Sequence, residues 1–263
     1  MKAGISTACM YPRQLEEAFY DLAVNGVSCI EIFANTPSEL NELFLRELKE
    51  TADRFEVTIP SFHPFTSGYE SSMLFSKYDR RTRDAIEFYK QYFRAMKLLG
   101  SEYFVLHGFK SKYVISDSEY FERFHMIAEA GRECGITVLQ ENVNACKSAN
   151  LKFLKSMCSQ LGDEAQFVLD TKQAIRAGEN PFDFLHVLGS RIKHVHISDS
   201  GEMGDCLLIG RGRFDYKKFI SELYENKYNG AVMLELYRNN FSSITDLINS
   251  YNIIETTIKK AGK

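Results

Sequence analysis

The sequence lacks a strong excess of charge of either sign. Its 263 residues carry 32 Lys and Arg against 35 Asp and Glu, which gives a formal net charge of −3 at pH 7. This balance supplies no electrostatic reason for tight binding to a nucleic acid backbone or to an acidic membrane surface. The expected partner is therefore neither nucleic acid nor membrane.

Closely spaced cysteines and long apolar segments are also missing. None of the six cysteines forms a C-x-x-C pair, so neither a zinc ribbon nor a thioredoxin-like redox motif is indicated. The opening residues contain no apolar core of a secretory signal. No stretch approaches the roughly 20 apolar residues that a membrane-spanning helix needs. We expect a cytoplasmic protein with reduced thiols.

What the sequence does contain is a regular alternation of short apolar β-type runs with longer segments of helical period. The predicted strands cover residues 2–7, 28–33, 57–63, 103–107, 136–141, 166–170, 192–198 and 231–236. The predicted helices cover residues 13–25, 38–55, 78–99, 117–134, 150–161, 182–188, 215–226 and 241–260. Strands that alternate with helices pair in parallel through right-handed crossovers.

Eight such units are the number that closes a barrel. An open doubly wound sheet is the competing layout, but it usually carries a glycine-rich phosphate turn after its first strand, and residues 6–10 contain no glycine. No linker or low-complexity segment interrupts the pattern. We predict an α/β protein with a single (β/α)8 TIM-barrel domain over residues 1–263.

The residues at the predicted strand ends are acidic or histidine-rich, and in a barrel of this kind chemistry gathers at those ends. They are Glu31, His63, His107, Glu141, Asp170, His194, His196, Asp199 and Glu235. Ionised carboxylates are almost never buried unless they are paired or bound to a metal. Because these side chains would converge on one small volume and repel each other, the sequence predicts a site for a divalent cation.

The predicted metal ligands come one from each of the last four strands: Glu141, Asp170, His196 and Glu235. Three carboxylates and one imidazole suit Mn²⁺, which we expect first, as well as Mg²⁺ or Co²⁺, with Zn²⁺ also possible. The alternation of the seventh strand places His194 and His196 on the same interior face. For His194 we expect a hydrogen-bonded interior histidine.

Five segments resemble the xylose isomerase-like superfamily of sugar and sugar-phosphate isomerases and epimerases. They are LQEN around Glu141, LDTKQAIRAGENP around Asp170, HVHISD around His196, and the runs IGRGRFDY and GAVMLELY. The resemblance implies a metal-dependent TIM barrel in which the four predicted ligands hold one divalent ion. It also implies that Glu141 and Glu235 act as the acid/base pair.

The implied reaction begins on a hydroxy-ketone whose α hydrogen is acidified by chelation to the cation. One carboxylate removes the proton and the other delivers one, so that the product is an epimer or an aldose/ketose isomer. The substrate would be a monosaccharide or a sugar phosphate. A lyase or dehydratase that expels a β-hydroxyl is the alternative, and a non-catalytic sugar-binding module is a further one.

One departure from the family pattern is Gln173, because many relatives carry a histidine three residues after the aspartate ligand. The missing histidine at position 173 weighs against the apurinic endonuclease branch and its three-zinc cluster, as does the absence of histidine from residues 200–213.

The residues expected to contact the substrate are His63, His107, Lys172, Gln173 and Arg213. Arg213 lies in a glycine-rich loop near the place where many barrels bind phosphate. Relatives commonly form dimers or tetramers, so the resemblance also allows a homo-oligomer.

Overall fold

The computed structural model describes residues 1–110 and 115–262. Its strands are β1 (Lys2–Ser6), β2 (Ile30–Ala34), β3 (Ser61–Pro64), β4 (Tyr103–Leu106), β5 (Thr137–Glu141), β6 (Phe167–Asp170), β7 (Ile192–Ile197), β8 (Asp199–Gly201), β9 (Gly204–Leu207) and β10 (Ala231–Leu234). In the described part of the chain, eight of them close a barrel in the order β1-β10-β7-β6-β5-β4-β3-β2, with every adjacent pair parallel. The predicted (β/α)8 barrel is confirmed.

The helices lie between the strands along the chain. They are α1 (Leu15–Val24), α2 (Glu42–Arg54), α3 (Ser67–Tyr69), α4 (Asp79–Leu99), α5 (Asp117–Glu133), α6 (Leu151–Leu161), α7 (Thr171–Arg176), α8 (Pro181–Leu188), α9 (Tyr216–Glu225) and α10 (Ile244–Ala261). The eight predicted helices are confirmed, with ends that differ by a few residues. None of the helices in the described ranges is both long enough and apolar enough to cross a membrane.

Within the described residues, three features that follow strand ends were not predicted from the sequence. The loop after β3 contains α3, which continues into a π-helical turn (Glu70–Leu74). The loop after β6 contains α7, and the antiparallel hairpin of β8 and β9 follows β7. All three lie on the side of the barrel where the strands end, so they surround the predicted site. The single-domain prediction over residues 1–263 includes residues 111–114 and 263, which lie outside the described residues.

Local sequence signals set the helix ends. Helix α5 begins with a capping box in which the Ser116 hydroxyl and the Glu119 carboxylate satisfy each other's backbone N–H groups. Helix α4 ends at Gly100, whose φ of 73° is the left-handed conformation that glycine adopts without strain. Gly100 turns the chain towards β4, which begins at Tyr103.

The barrel interior is filled by two small apolar clusters, separate from the larger core between strands and helices. The clusters are Cys29, Ala231 and Met233, and Val105, Leu139 and Val168. Successive residues of a strand face opposite sides, so the residue two positions further along faces the interior again. That position holds Glu31 after Cys29, Glu235 after Met233, and Glu141 after Leu139. The glutamates therefore form the layer of interior side chains next to these apolar residues, on the side where the strands end.

Candidate active site

The four predicted metal ligands meet at the carboxyl end of the barrel. Glu141 and Asp170 are the last residues of β5 and β6, His196 lies near the end of β7, and Glu235 directly follows β10. One donor atom from each of these side chains lies within 4.8 Å of the others, and all four residues are buried. The structure brings this set together.

The donor atoms of this cluster have unused bonding capacity. Nδ1 of His196 lies 3.3 Å from Oε1 of Glu141 and 3.7 Å from Oε2 of Glu235. Within the described residues, Oε2 of Glu141 and Oδ2 of Asp170 are buried and accept no hydrogen bond. Their contacts to Nε2 of His107 at 3.4 Å and to Nζ of Lys172 at 3.3 Å are ion-pair contacts without hydrogen-bond geometry. Buried carboxylate oxygens left in this way are the ligands that hard divalent cations prefer, so the donor set fits such a cation.

A lysine lies inside the same cluster. Nζ of Lys172 is 2.6 Å from Oε2 of Glu235 and 3.3 Å from Oδ2 of Asp170. The sequence suggested substrate contact for Lys172 but not this position between two carboxylates. Lys172 reaches this position because the short helix α7 starts directly after Asp170 and places Lys172 in its first turn.

The protonation of the three carboxyl groups differs. Burial raises the pKa of Asp170 to about 7, although Lys172 acts in the opposite direction. Burial also acts to raise the pKa of Glu235, but the charges of Lys172 and His196 outweigh it and hold that pKa well below its usual range. The pKa of Glu141 is lowered as well, because the His196 hydrogen bond and the histidine charges outweigh burial. Glu141 and Glu235 are therefore ionised at neutral pH.

Glu31 is a member of the cluster that the site prediction left out. It is fully buried, and its Oε2 accepts a hydrogen bond of 2.8 Å from the Ser61 hydroxyl. The same oxygen lies 2.9 Å from Nε2 of His194 and 3.1 Å from Nε2 of His196. His194 is thus a hydrogen-bonded interior histidine, as expected. The signal for Glu31 was its place near the end of the second strand, which the sequence showed without indicating a partner.

His63 and His107 connect the two glutamates across the site. Their Nε2 atoms lie 2.7 Å apart. Nδ1 of His63 lies 3.2 Å from Oε1 of Glu235, and Nε2 of His107 lies 3.4 Å from Oε2 of Glu141. His63, His107 and Glu141 also offer three donor atoms within 4.8 Å of one another. A second group, of Glu31, His63, His196 and Glu235, offers four. Both histidines therefore belong to the site.

The sequence did not single out Glu70. It lies in the π-helical turn after β3 and is fully buried, and its Oε2 accepts a hydrogen bond from the backbone N–H of Gly108. Its Oε1 lies 3.9 Å from Nδ1 of His107, on the side of the ring away from Glu141. Burial raises the pKa of Glu70 to about 8. An acidic residue in a loop without regular period carries little signal, which is why it was missed.

A cavity of about 270 Å³ opens above the cluster. Its lining combines a polar floor with apolar walls and consists of Ala8, Tyr11, Phe33, His63, His107, Glu141, Lys172, Gln173, Glu235, Leu236 and Tyr237. The volume is just under the range of roughly 300–1,000 Å³ common for ligand pockets. A small ligand of few rings fits such a space.

The rim of the cavity is tied together by Arg176. Its guanidinium forms a two-pronged ion pair with Asp205 of β9, at 2.5 and 2.9 Å, and donates a hydrogen bond of 2.6 Å to the Tyr237 hydroxyl. Nζ of Lys172 lies 5.0 Å from the centroid of the Tyr237 ring. Helix α7, the hairpin and the segment after β10 are thereby held against each other.

The two remaining predicted substrate contacts lie in different places. Gln173 lines the cavity, and its Oε1 accepts a hydrogen bond of 3.1 Å from the Asn144 backbone. Arg213 is not among the lining residues of the cavity, and its largely exposed side chain pairs with Glu202 at 2.7 Å. The structure does not bring Arg213 together with the other site residues.

The loop that carries Arg213 is organised by Asp199. Its carboxylate accepts hydrogen bonds from four backbone N–H groups, those of Ser200, Gly210, Gly212 and Phe214. A Cβ on Gly212 would lie 2.4 Å from both Oδ1 of Asp199 and the Ser200 carbonyl oxygen, so glycine is required there by close approach. Asp199, which the sequence placed at a strand end, is a loop anchor.

The closed parallel barrel and the buried acidic and histidine cluster at its strand ends define a TIM-barrel enzyme. The chain belongs to the xylose isomerase-like TIM barrel family, whose model matches residues 19–256.

Several proteins resemble the chain over nearly its whole length. An uncharacterised protein of Methanocaldococcus jannaschii is 27% identical, with 97% of this chain and 88% of that protein covered. Fructoselysine 3-epimerase of Escherichia coli O157:H7 is 21% identical, with 90% of each covered. The solved structure of a D-tagatose 3-epimerase-like protein superimposes with a TM-score of 0.82 at 22% identity, with 100% of this chain and 98% of that chain covered.

A second solved structure gives the same fold. It is D-psicose 3-epimerase from Clostridium cellulolyticum H10, with a TM-score of 0.79, 18% identity and 99% of each chain covered. Both structural likenesses establish the fold of this chain, and the family prediction from the sequence is confirmed.

Proposed function

We propose that this chain is a divalent-metal-dependent isomerase or epimerase of a monosaccharide. The observation that carries the proposal is the pair of buried, ionised glutamates, Glu141 and Glu235, that face one small cavity from different strands. The names of the relatives, fructoselysine 3-epimerase and D-psicose 3-epimerase, support the same reaction class. The reaction is a proton transfer at a carbon next to a carbonyl group.

The residues proposed to hold the metal are Glu141, Asp170, His196 and Glu235. Their donor atoms lie within 4.8 Å of each other, and two of the buried carboxylate oxygens lack hydrogen bonds within the described residues. A divalent cation bound there would polarise adjacent carbonyl and hydroxyl oxygens and stabilise the negative charge that develops when the α hydrogen leaves. Mn²⁺ is the ion that we propose, because carboxylate-rich donor sets suit it.

Glu141 and Glu235 are proposed as the acid/base pair. β5 and β10 are separated by β6 and β7 in the barrel, so the two carboxylates approach the cavity from different sides. Because both are ionised in the metal-free protein, either can accept the α proton. The opposite carboxylate must itself take up a proton before it can deliver one to the other face, so the pair carries one proton in the reacting state. His63 lies beside Glu235 and His107 beside Glu141, where each can bind a substrate hydroxyl.

The lining of the cavity favours a sugar without a phosphate group. Among the described lining residues, Lys172 offers a single ammonium, which matches only part of the charge of a phosphate group. Arg213 pairs with Glu202 outside the cavity lining, and no arginine stands among the lining residues that the structure describes. The apolar side chains of Phe33 and Leu236 instead provide a wall for the face of a sugar ring.

The direct test is hydrogen exchange. The Mn²⁺-loaded protein is incubated in D2O with a panel of unphosphorylated ketoses and aldoses, and deuterium at the α carbon is measured together with product mass and configuration. We expect exchange with at least one sugar and no change of mass apart from deuterium. Absence of exchange across the panel would contradict the proposal, and loss of water from the product would identify a dehydratase instead.

The assignment of the acid/base pair has its own control. Glu141→Gln and Glu235→Gln should each lower turnover by about 10²- to 10⁴-fold, which is the usual contribution of a positioned acid or base. The same change at Glu222, a surface residue of α9 paired with His186, should leave turnover unchanged. Full activity of Glu235→Gln would exclude a catalytic role for this carboxylate.

A further inference from the structure

The ammonium of Lys172 is buried in the acidic cluster. Its side chain is 3% exposed, and a lysine is almost never buried to this degree unless it is paired. The partners are Oε2 of Glu235 at 2.6 Å and Oδ2 of Asp170 at 3.3 Å. Lys172 thus supplies a positive charge to two of the carboxylates that the proposed metal would also contact.

The backbone of Lys172 is fixed by its neighbours. The backbone N–H of Gln173 donates a hydrogen bond of 3.0 Å to Oδ1 of Asp170, which caps α7. The Thr171 hydroxyl accepts a hydrogen bond of 3.2 Å from the Ser198 backbone. These contacts leave the four-carbon stem of Lys172 as its mobile part.

A divalent ion and the ammonium cannot both occupy positions next to these oxygens at low cost. Both would draw on the negative charge of Asp170 and Glu235, and two positive charges a few ångströms apart repel strongly in a buried site. Binding of the ion therefore requires the ammonium to move away from at least one of its two partners.

The structure offers a place for the displaced ammonium. Lys172 lines the cavity of about 270 Å³, so its stem can turn towards this space. Nζ already lies 5.0 Å from the centroid of the Tyr237 ring, whose face attracts a cation. The ring itself is held in position by the hydrogen bond from Arg176 to the Tyr237 hydroxyl.

We propose that Lys172 is an internal cation that competes with the divalent metal for Asp170 and Glu235, and that metal binding displaces its ammonium towards the cavity and Tyr237. The inference rests on the metal ligands of the proposed function and deepens it by naming the residue that sets their affinity. Lys172 keeps the buried carboxylates neutralised in the metal-free protein and weakens metal binding. In the loaded protein its ammonium faces the substrate.

The test is a calorimetric titration of the metal-free protein with Mn²⁺ alone. Lys172→Met keeps the length of the side chain and removes its charge, and we expect it to bind Mn²⁺ at least about tenfold more tightly than the wild type. The matched control is Lys147→Met, which removes an ammonium paired with Asp117 and lying 5.5 Å from the Phe153 ring centroid, away from the site. Its Mn²⁺ affinity should equal that of the wild type.

Thermal unfolding gives a second readout. Without metal, Lys172→Met should unfold at a lower temperature than the wild type, and excess Mn²⁺ should stabilise it by a larger shift than the wild type. If Lys172→Met does not fold without metal, Lys172→Arg keeps the charge and should bind Mn²⁺ no more tightly than the wild type.

Equal Mn²⁺ affinities of the wild type and Lys172→Met would overturn the inference, as would tighter binding by Lys172→Arg. The hydrogen-exchange assay separates this result from the proposed function. A Lys172-dependent affinity without exchange on any sugar would refute the isomerase proposal alone, whereas exchange with an affinity independent of Lys172 would refute the competition alone.

Discussion

Nε2 of His63 lies 2.7 Å from Nε2 of His107, so one ring donates a hydrogen bond to the other. Burial and the neighbouring His63 lower the pKa of His107 to about 4. Burial also acts on His63, but the Glu235 hydrogen bond and the surrounding carboxylates raise its pKa. His63 is therefore the donor and His107 the acceptor of this hydrogen bond, and the two rings lie between Glu235 and Glu141 on the cavity floor.

Replacing His107 tests whether this histidine binds substrate or metal. His107→Asn should lower kcat/KM by roughly 3- to 10-fold, the effect of losing one hydrogen bond to a substrate hydroxyl. The measurement is steady-state kinetics on the sugar found by exchange, with the Mn²⁺ content per chain determined in parallel. Metal content should stay at the wild-type value. A loss of bound metal would instead make His107 a ligand.

Glu31 is expected to support the metal site through His196. Oε2 of Glu31 lies 3.1 Å from Nε2 of His196. Loss of a hydrogen bond that orients a metal ligand typically weakens metal binding by about 10- to 100-fold. Glu31→Gln should therefore bind Mn²⁺ more weakly by that factor and unfold with a free energy lower by about 3 kcal/mol. Calorimetric titration and urea unfolding measure the two effects.

The control for Glu31 is Ser61→Ala, which removes one hydrogen bond to the same Glu31 oxygen and leaves His196 in place. It should cost about 1 kcal/mol of stability and leave the Mn²⁺ affinity unchanged. Equal metal affinities for Glu31→Gln and Ser61→Ala would show that Glu31 has only a packing role.

Glu70 predicts a pH dependence of stability. Its pKa is about 8 in the folded protein, above the ordinary value of 4.5, so the folded state binds the proton more tightly. The free energy of unfolding should consequently fall as pH rises from about 4.5 to about 8, by roughly 2–5 kcal/mol from this group. Glu70→Gln should remove that slope.

Urea unfolding of the metal-free protein at several pH values checks the effect of Glu70. Glu47→Gln, on an exposed face of α2, is the control and should keep the wild-type slope. If the unfolding free energy depended on pH equally in the wild type and in Glu70→Gln, Glu70 would be ionised in the folded protein, against the prediction.

Asp199 is expected to stabilise the fold without taking part in chemistry. Asp199→Ala leaves four backbone N–H groups without their acceptor and should lower the unfolding free energy by about 3 kcal/mol or more. Asp215→Ala removes a single contact, the cap from Lys218 N–H to its carboxylate, and should cost about 1 kcal/mol. Similar losses for the two variants would contradict an anchoring role for Asp199.

The barrel and the convergence of the acidic residues could be predicted because both follow from the periodic patterns of strands and helices in the sequence. Alternation places Glu141, Asp170 and Glu235 on the inward face of strands whose ends converge, and parallel pairing brings those ends to one side. No sequence pattern of this kind exists for Glu70 or for Lys172. Their positions depend on a π-helical turn and on a six-residue helix, whose short length leaves no period to detect.

Arg213 shows the converse limit. The glycine-rich sequence around it suggested a phosphate loop, but the glycines answer a different need. Gly212 makes room for Asp199, and Gly210 adopts a φ of 86° and donates a backbone hydrogen bond to the same carboxylate. The buried Asp199 carboxylate already accepts the backbone N–H groups that such a loop would offer to a phosphate.

The pairing of β1 with β10 has a consequence for how the protein is made. These are the first and last strands of the barrel, and Glu235 directly follows β10. A chain emerging from the ribosome can form early strand–helix units, but it cannot close the ring or complete the acidic cluster before β10 has emerged. Nascent forms should therefore expose the open edge of β1 to chaperones, and catalytic competence should appear in a single late step.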